Sequence, residues 1–162
     1  MTSSRFDSCS PSDASSPHVV AINISDGGIP KRPVLSTDVL SQGLRGDAHD
    51  HEKHNSPLQA VSLIDLEDLE DLRREGFEVV PGATGENLTV RNLQVDSLPV
   101  GTRLTFSGGV ELELTKVRQP CFVLDAIDPR LKKAIVGRCG YLAKVITPGS
   151  LSSGEFISTQ FS

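Results

Sequence analysis

Hydrophobic patterning in this chain starts at His18; the first seventeen positions are polar, Ser-rich and without apolar period. Segment 1–17 reads as a disordered tail, since it has too little apolar surface to offset the entropy of ordering it. From His18 the texture is that of short strands. HVVAINIS (18–25) is an apolar run closed by the Asp26-Gly27-Gly28 turn. KRPVLSTDVL (31–40) is a second extended stretch, and Pro33, which has no amide hydrogen, belongs at a sheet edge or strand start. SQGLRGDAHDHEKHNSP (41–57) is crowded with turn formers and reads as a loop.

One helix stands out, roughly Ser62 to Glu75. Leu63, Leu66, Leu69 and Leu72 recur every three residues, while Asp65, Glu67, Asp68, Glu70 and Asp71 fill the other side. Gly76 suits its C-terminal cap, and Arg73 and Arg74 complement the helix dipole. The acidic run is read as a solvated helix face, not a cation site. Strand signals then return in FEVV, ENLTV, LQVDSL and GTRLTF. RLTF and VELELTKV flank Gly108-Gly109 as a hairpin. DPRLKKAIV predicts a short helix capped by Asp128, and YLAKVI and EFIS, separated by the Pro148-Gly149 turn, predict the last strands. The expected class is mainly β, a barrel with one clear helix and one or two short ones. Residues 18–162 form one expected domain.

Composition narrows the function. A net charge of −5 argues against nucleic-acid binding, which needs a basic face. No run approaches the ~18 apolar residues of a membrane span. The N-terminal residues have no apolar signal-peptide core, so a cytoplasmic protein is expected. Cys9, Cys121 and Cys139 are too few and scattered for a disulfide framework.

Candidate chemistry concentrates in a few stretches. In KVRQPCFVLD (116–125), Cys121 follows a proline at a predicted rim, with Lys116 and Arg118 on one strand face. Neighbouring cations favour the thiolate, and together they suit an anion. A free cysteine is also commonly a small buried hydrophobe, and position alone leaves both roles open. Cys139 is a conceivable second soft ligand or resolving thiol. GDAHDHEKH (46–54) offers Asp47, His49, His51 and His54 as legitimate metal ligands, but on a loop without a helical i,i+4 pair. PGATGENLTV lacks the ending of a phosphate loop, so its glycines are read as turn formers, with Glu86 and Asn87 orienting a ligand or bonding loop amides.

Read in order, these stretches resemble the MOSC family, the C-terminal domain type of molybdenum cofactor sulfurases. GGIPKRPV, GLRGDAH, LQAVSLID, GATGENLTV, VRQPC and GRCGYLAKVITPGSLSSGEFI are similar to its successive segments, over about residues 18–157. Asn92 stands where a glycine usually follows ENLT, Glu155 replaces an aspartate, and Leu142 an aromatic residue. The resemblance implies a pyruvate-kinase-barrel-like β fold whose loops converge on one cleft. It implies that Lys31, Arg32, Arg45, Glu86, Asn87 and Arg118 hold a molybdenum cofactor (molybdopterin). It makes Cys121 the metal ligand or sulfur carrier, with Asp47 and His49 lining the cleft. A role in sulfur transfer is expected first. A cysteine desulfurase or a molybdoenzyme is the expected partner, since no pyridoxal phosphate domain accompanies it in this chain. The alternatives are a molybdenum-dependent reductase of N-hydroxylated compounds and a non-catalytic cofactor-binding module.

Overall fold

A computed structural model describes residues 15–48 and 57–161. The predicted tail, apart from residues 15–17, therefore lies outside the described residues, as do His49, His51 and His54.

Eleven strands are described: β1 (His18–Ile24), β2 (Arg32–Val34), β3 (Ser36–Leu40), β4 (Gly43–Leu44), β5 (Val61–Asp65), β6 (Leu88–Arg91), β7 (Arg103–Phe106), β8 (Glu111–Val117), β9 (Tyr141–Thr147), β10 (Gly149–Ser152) and β11 (Ile157–Gln160). The helices are α1 (Leu66–Arg74) and α2 (Leu131–Ala134). Eight strands form one sheet in the order β11-β7-β8-β9-β5-β6-β1-β2, and β10-β3-β4 form a second. The chain changes sheets at Leu35, between β2 and β3, and again at Pro148, between β9 and β10. The large sheet curls on itself: His18 bridges Phe156, and the Val19 and Gly154 amides donate to Glu155 and Val19 carbonyls. Pro33 does sit on the edge strand β2.

The predicted helix begins late. Residues Val61–Asp65 are a strand, not its first turn. β5 lies between β6 and β9 and is buried on both faces, so period-2 burial overrides the leucine spacing. Its Val61 and Leu63 enter the main core, whereas Ile64 enters a second cluster with Leu69 and Leu72 of α1, Phe77, Val79, Leu124, Leu131, Ile135 and Cys139. FEVV and LQVDSL are likewise not strands. Phe77 and Val79 plug that second cluster, and Val95–Ser97 is a 3₁₀ turn. Gly76 ends α1 with φ +103°, the Phe77 amide returning to the Leu72 carbonyl.

The acidic face of α1 is not wholly solvated. Asp65 accepts the Gln94 and Val95 amides, and Asp96 accepts that of Gly140 at 3.1 Å. Burial pushes the Asp65 carboxyl up to about 6. Burial, then a hydrogen bond with Asp96, pushes Asp68 up to about 8. Both folded values exceed the ordinary 3.8, so the stability they contribute is complete below 3.8 and is lost as pH rises through about 6 and about 8. Asp68→Asn, a fixed neutral mimic, is expected to melt above the wild type at pH 8 and to match it near pH 4. A difference in melting temperature that ignores pH would contradict this.

Candidate functional site

The GATGEN loop is held by one buried carboxylate. Glu86 is fully buried and accepts the Gly82 amide at 2.7 Å, the Thr84 hydroxyl at 2.7 Å and the Thr89 hydroxyl at 2.6 Å. Asn23 braces it from β1, its side-chain amide donating to Thr89 Oγ1 and to the Glu86 carbonyl. Gly82 must be a glycine: its φ is +89°, and a Cβ there would stand 2.3 Å from the Lys31 carbonyl oxygen. The Lys31 amide donates to the Gly82 carbonyl, so the two segments lie against each other.

Asn87 links this loop to β5 and to GDAH. Its Oδ1 accepts the Ser62 amide at 3.0 Å, and its Nδ2 donates to Asp47 Oδ2 at 2.9 Å. Asp47 also accepts the Ser25 amide and pairs with Lys31 Nζ at 2.7 Å. The Asp47 side chain is 0% exposed and that of Lys31 12%. Both carboxylate oxygens of Asp47 are thus engaged, and its ion pair orients the Lys31 ammonium.

Arg118 stands on the other side of the loop. Its guanidinium donates to the Thr84 hydroxyl and carbonyl and to the Cys139 carbonyl, and its amide donates to Gly140 O at 2.9 Å. A Cβ on Gly85 would lie 2.9 Å from Ile29 Cγ2 and 3.4 Å from an Arg118 nitrogen, so the guanidinium packs closely against the loop where a side chain would not fit. Cys121 follows, partly exposed, just before the 3₁₀ turn Phe122–Ala126. Burial pushes the Cys139 thiol above its ordinary value, with Arg118 opposing that shift.

The structure therefore brings Lys31, Asp47, Asn87, Glu86 and Arg118 into one connected array, with Cys121 three residues beyond Arg118. Glu86 and Asn87 serve it from inside, as braces of the loop; their buried polar atoms face protein partners. Arg32 is exposed on β2, while Arg45 pairs with Asp38 at 3.1 Å on an exposed surface. Asn23, Ser62, Thr84 and Thr89 belong to the array but were not among the expected site residues. Asn23 did leave a signal, as a polar residue inside the apolar run HVVAINIS. Among the described residues no three His, Cys, Asp or Glu side chains are grouped to hold a metal ion. No described helix is long and apolar enough to cross a membrane.

The donor set suits an anionic group with a thiophilic centre. An ammonium offers three N–H donors and a guanidinium five, so Lys31 and Arg118 keep donors beyond those bound to protein. A thiolate is a soft metal ligand, and Cys121, partly exposed, follows Arg118 by three residues in the chain.

Comparison with known proteins places the chain. The MOSC domain model matches residues 50–158. A protein named "Reductase" from Gibberella moniliformis is 32% identical over 126 residues, covering 72% of this chain and 22% of that protein. The chain thus spans about a fifth of that relative's length. The YuaD protein of Bacillus subtilis superposes with a TM-score of 0.76 at 19% identity, covering 91% of this chain and 97% of that one. YiiM of Geobacillus stearothermophilus gives 0.73 at 24% identity, covering 90% of this chain and 75% of the other. These likenesses establish the fold, mainly β with one clear helix. With its GENLT and RxPC segments meeting in one array, this chain belongs to the MOSC domain family.

Proposed function

We propose that this domain binds a molybdenum–pterin cofactor beside Lys31 and Arg118, with Cys121 as its thiolate ligand, and serves a reductase. The observation that supports this most is the hydrogen-bonded array that fixes Lys31 and Arg118, with the partly exposed Cys121 three residues beyond Arg118 in the chain. Lys31 and Arg118 would hold the anionic groups of the cofactor, with exposed Arg32 as a further cation and Arg45 reserved by Asp38. Asp47 keeps the Lys31 ammonium in place, and the lattice around Glu86 and Asn87 keeps the loop in register. Bound there, the group supplies two-electron chemistry at a metal. His49 is proposed for proton handling, since an unperturbed imidazole titrates near ~6.5. A cytoplasmic setting is part of this reading.

The name "Reductase" borne by the relative favours reduction; the family resemblance makes N-hydroxylated compounds the proposed substrates, with Cys121 staying on the metal. Sulfur transfer from a cysteine desulfurase to a molybdoenzyme is the second reading. The partial exposure of Cys121 favours it, since a partner must reach the thiol. Protein loaded with cofactor and given a chemical reductant is expected to reduce a hydroxylamine or amidoxime. Cys121→Ser is expected to lower that rate by about 100-fold, the upper range for disturbing a metal site, with the melting temperature unchanged. A loaded protein inert towards all such substrates, yet able to take up persulfide sulfur on Cys121, would replace the reductase reading by the carrier one.

A further inference from the structure

Across β5, β9 and β8 runs a row of side chains that the core does not use. Val61, Leu63, Tyr141 and Ala143 enter the main core, so strand alternation turns Ser62 and Leu142 to the other face. These two are direct register partners, which sets their Cβ atoms about 4.5–5.5 Å apart. On the next strand Leu114 enters the core, and the register shift that follows sets exposed Lys116 opposite Leu142. The row therefore reads Ser62, Leu142, Lys116. It borders the site array. Ser62 Oγ meets the Asn87 side chain and the Gly85 carbonyl. The Arg118 guanidinium reaches the same loop at Thr84, and its amide bonds the Gly140 carbonyl, two residues before Leu142.

Leu142 is half-buried, yet it joins neither hydrophobic cluster. The Thr115 hydroxyl donates to the Leu58 carbonyl at 2.5 Å and stands 3.1 Å from the Leu142 carbonyl oxygen. The Pro57–Gln59 turn is thereby tied to the same place, with Leu58 56% exposed. Two lysines lie on this face, and they differ. Lys144, two residues along β9 from Leu142, stands 3.6 Å from Glu113, which Arg103 also meets. No carboxylate pairs with Lys116 among the described residues. An apolar ledge thus lies between the loop of the site and a cation whose charge is not answered.

We propose that Leu142, Leu58 and Lys116 select the substrate, favouring a flat apolar body that ends in an anionic group. This rests on the reductase reading above and names the substrate class for it. Two strand spacings, about 10 Å, separate Lys116 from Ser62 at the edge of the loop. An aromatic ring laid on Leu142 therefore turns one end to the loop and Arg118, and the other to Lys116. The ring removes leucine surface from water, and the ammonium meets the far carboxylate. An uncharged aryl compound makes only the first of these contacts, and a small alkyl compound makes neither. The expected order of kcat/KM is 4-carboxybenzamidoxime, then benzamidoxime, then acetamidoxime.

The test measures these three compounds on the loaded full chain with a chemical reductant. That reductant supplies the two electrons that cleave the N–O bond, giving the amidine and water. Lys116→Ala is expected to lower the preference for the acid over benzamidoxime by about 3-fold, the scale of one exposed ion pair. Lys116→Glu is expected to lower it further. Leu142→Ala is expected to lower the preference for benzamidoxime over acetamidoxime by about 10-fold, the scale of a lost apolar contact. Preferences equal in wild type and variants would overturn the proposal. Lys116 is exposed, so its variants decide the matter even if Leu142→Ala folds poorly. A second readout needs no turnover. Added to the full chain without cofactor, 4-carboxybenzamidoxime is expected to shift the Leu142 methyl and Lys116 amide resonances, and Lys116→Glu to abolish the response. Resonances that do not move would also overturn the proposal. Movement in a protein that reduces none of the three compounds keeps the subsite and removes the reductase reading.

Discussion

Glu86→Ala is expected to destabilise the fold by about 3–5 kcal/mol, a large part of the roughly 5–15 kcal/mol available to a domain. Three donors converge on this one carboxylate: the Gly82 amide, the Thr84 hydroxyl and the Thr89 hydroxyl. Alanine leaves all three without an acceptor at a fully buried position, and each orphaned group costs about 1–3 kcal/mol. Partial relaxation of the loop offsets some of that. Glu86→Gln keeps one acceptor oxygen and is expected to lose less than half as much. Urea unfolding checks this, read as a lower midpoint at unchanged slope. A loss below about 1 kcal/mol for alanine, the ordinary range for a surface change, would mean that the carboxylate does not hold the loop.

Gly140→Ala is the second large effect, expected at about 3–5 kcal/mol. Gly140 has φ +86°, and a Cβ there would lie 1.9 Å from the Leu63 carbonyl oxygen and 2.9 Å from its carbon. The clash is with the backbone of β5, so no side-chain rotation relieves it. Gly140 also gives its amide to Asp96 and its carbonyl to Arg118, so moving it disturbs the strand that carries the site cation. Gly137→Ala is the internal comparison. Gly137 has φ +82° but nothing within 4 Å of an added Cβ. It is expected to show only the left-handed strain of about 1–2 kcal/mol. Equal losses at the two glycines would contradict the clash.

Much of this architecture was legible in the sequence where one physical signal dominated. The hairpin around Gly108-Gly109, edge placement of Pro33 and the Gly76 helix stop follow from turn chemistry and missing donors, which act locally. Asn92 adopts φ 66°, the conformation asparagine tolerates, so its replacement of a glycine is accommodated. The start of α1 was misread because Leu63 serves a buried strand and Leu66 a helix, and spacing alone cannot separate the two. FEVV shows the same limit: Phe77 and Val79 fill a core without joining any sheet.

The site was partly legible. Lys31, Asp47, Asn87 and Arg118 were expected in one cleft on resemblance and do fall in one array. Their division of labour was not readable, because it depends on which oxygen each donor meets. Glu86 and Asn87 turn inward as braces, and Arg45 turns to Asp38. The acidic run of α1 was read as a solvated face, yet Asp65 and Asp68 are raised by burial against the Gln94–Ser97 segment. Long-range packing decided both.

The central claim is that Lys31, Arg118 and Cys121 together hold a molybdenum–pterin group. The most direct measurement is anaerobic incubation of the purified protein with isolated cofactor, gel filtration, and assay of molybdenum and pterin in the protein peak. Wild type is predicted to retain both in near-equal amounts, and Cys121→Ser to lose most of the molybdenum while keeping its fold. Zinc in the peak without pterin, or equal molybdenum in wild type and Cys121→Ser, would contradict the account.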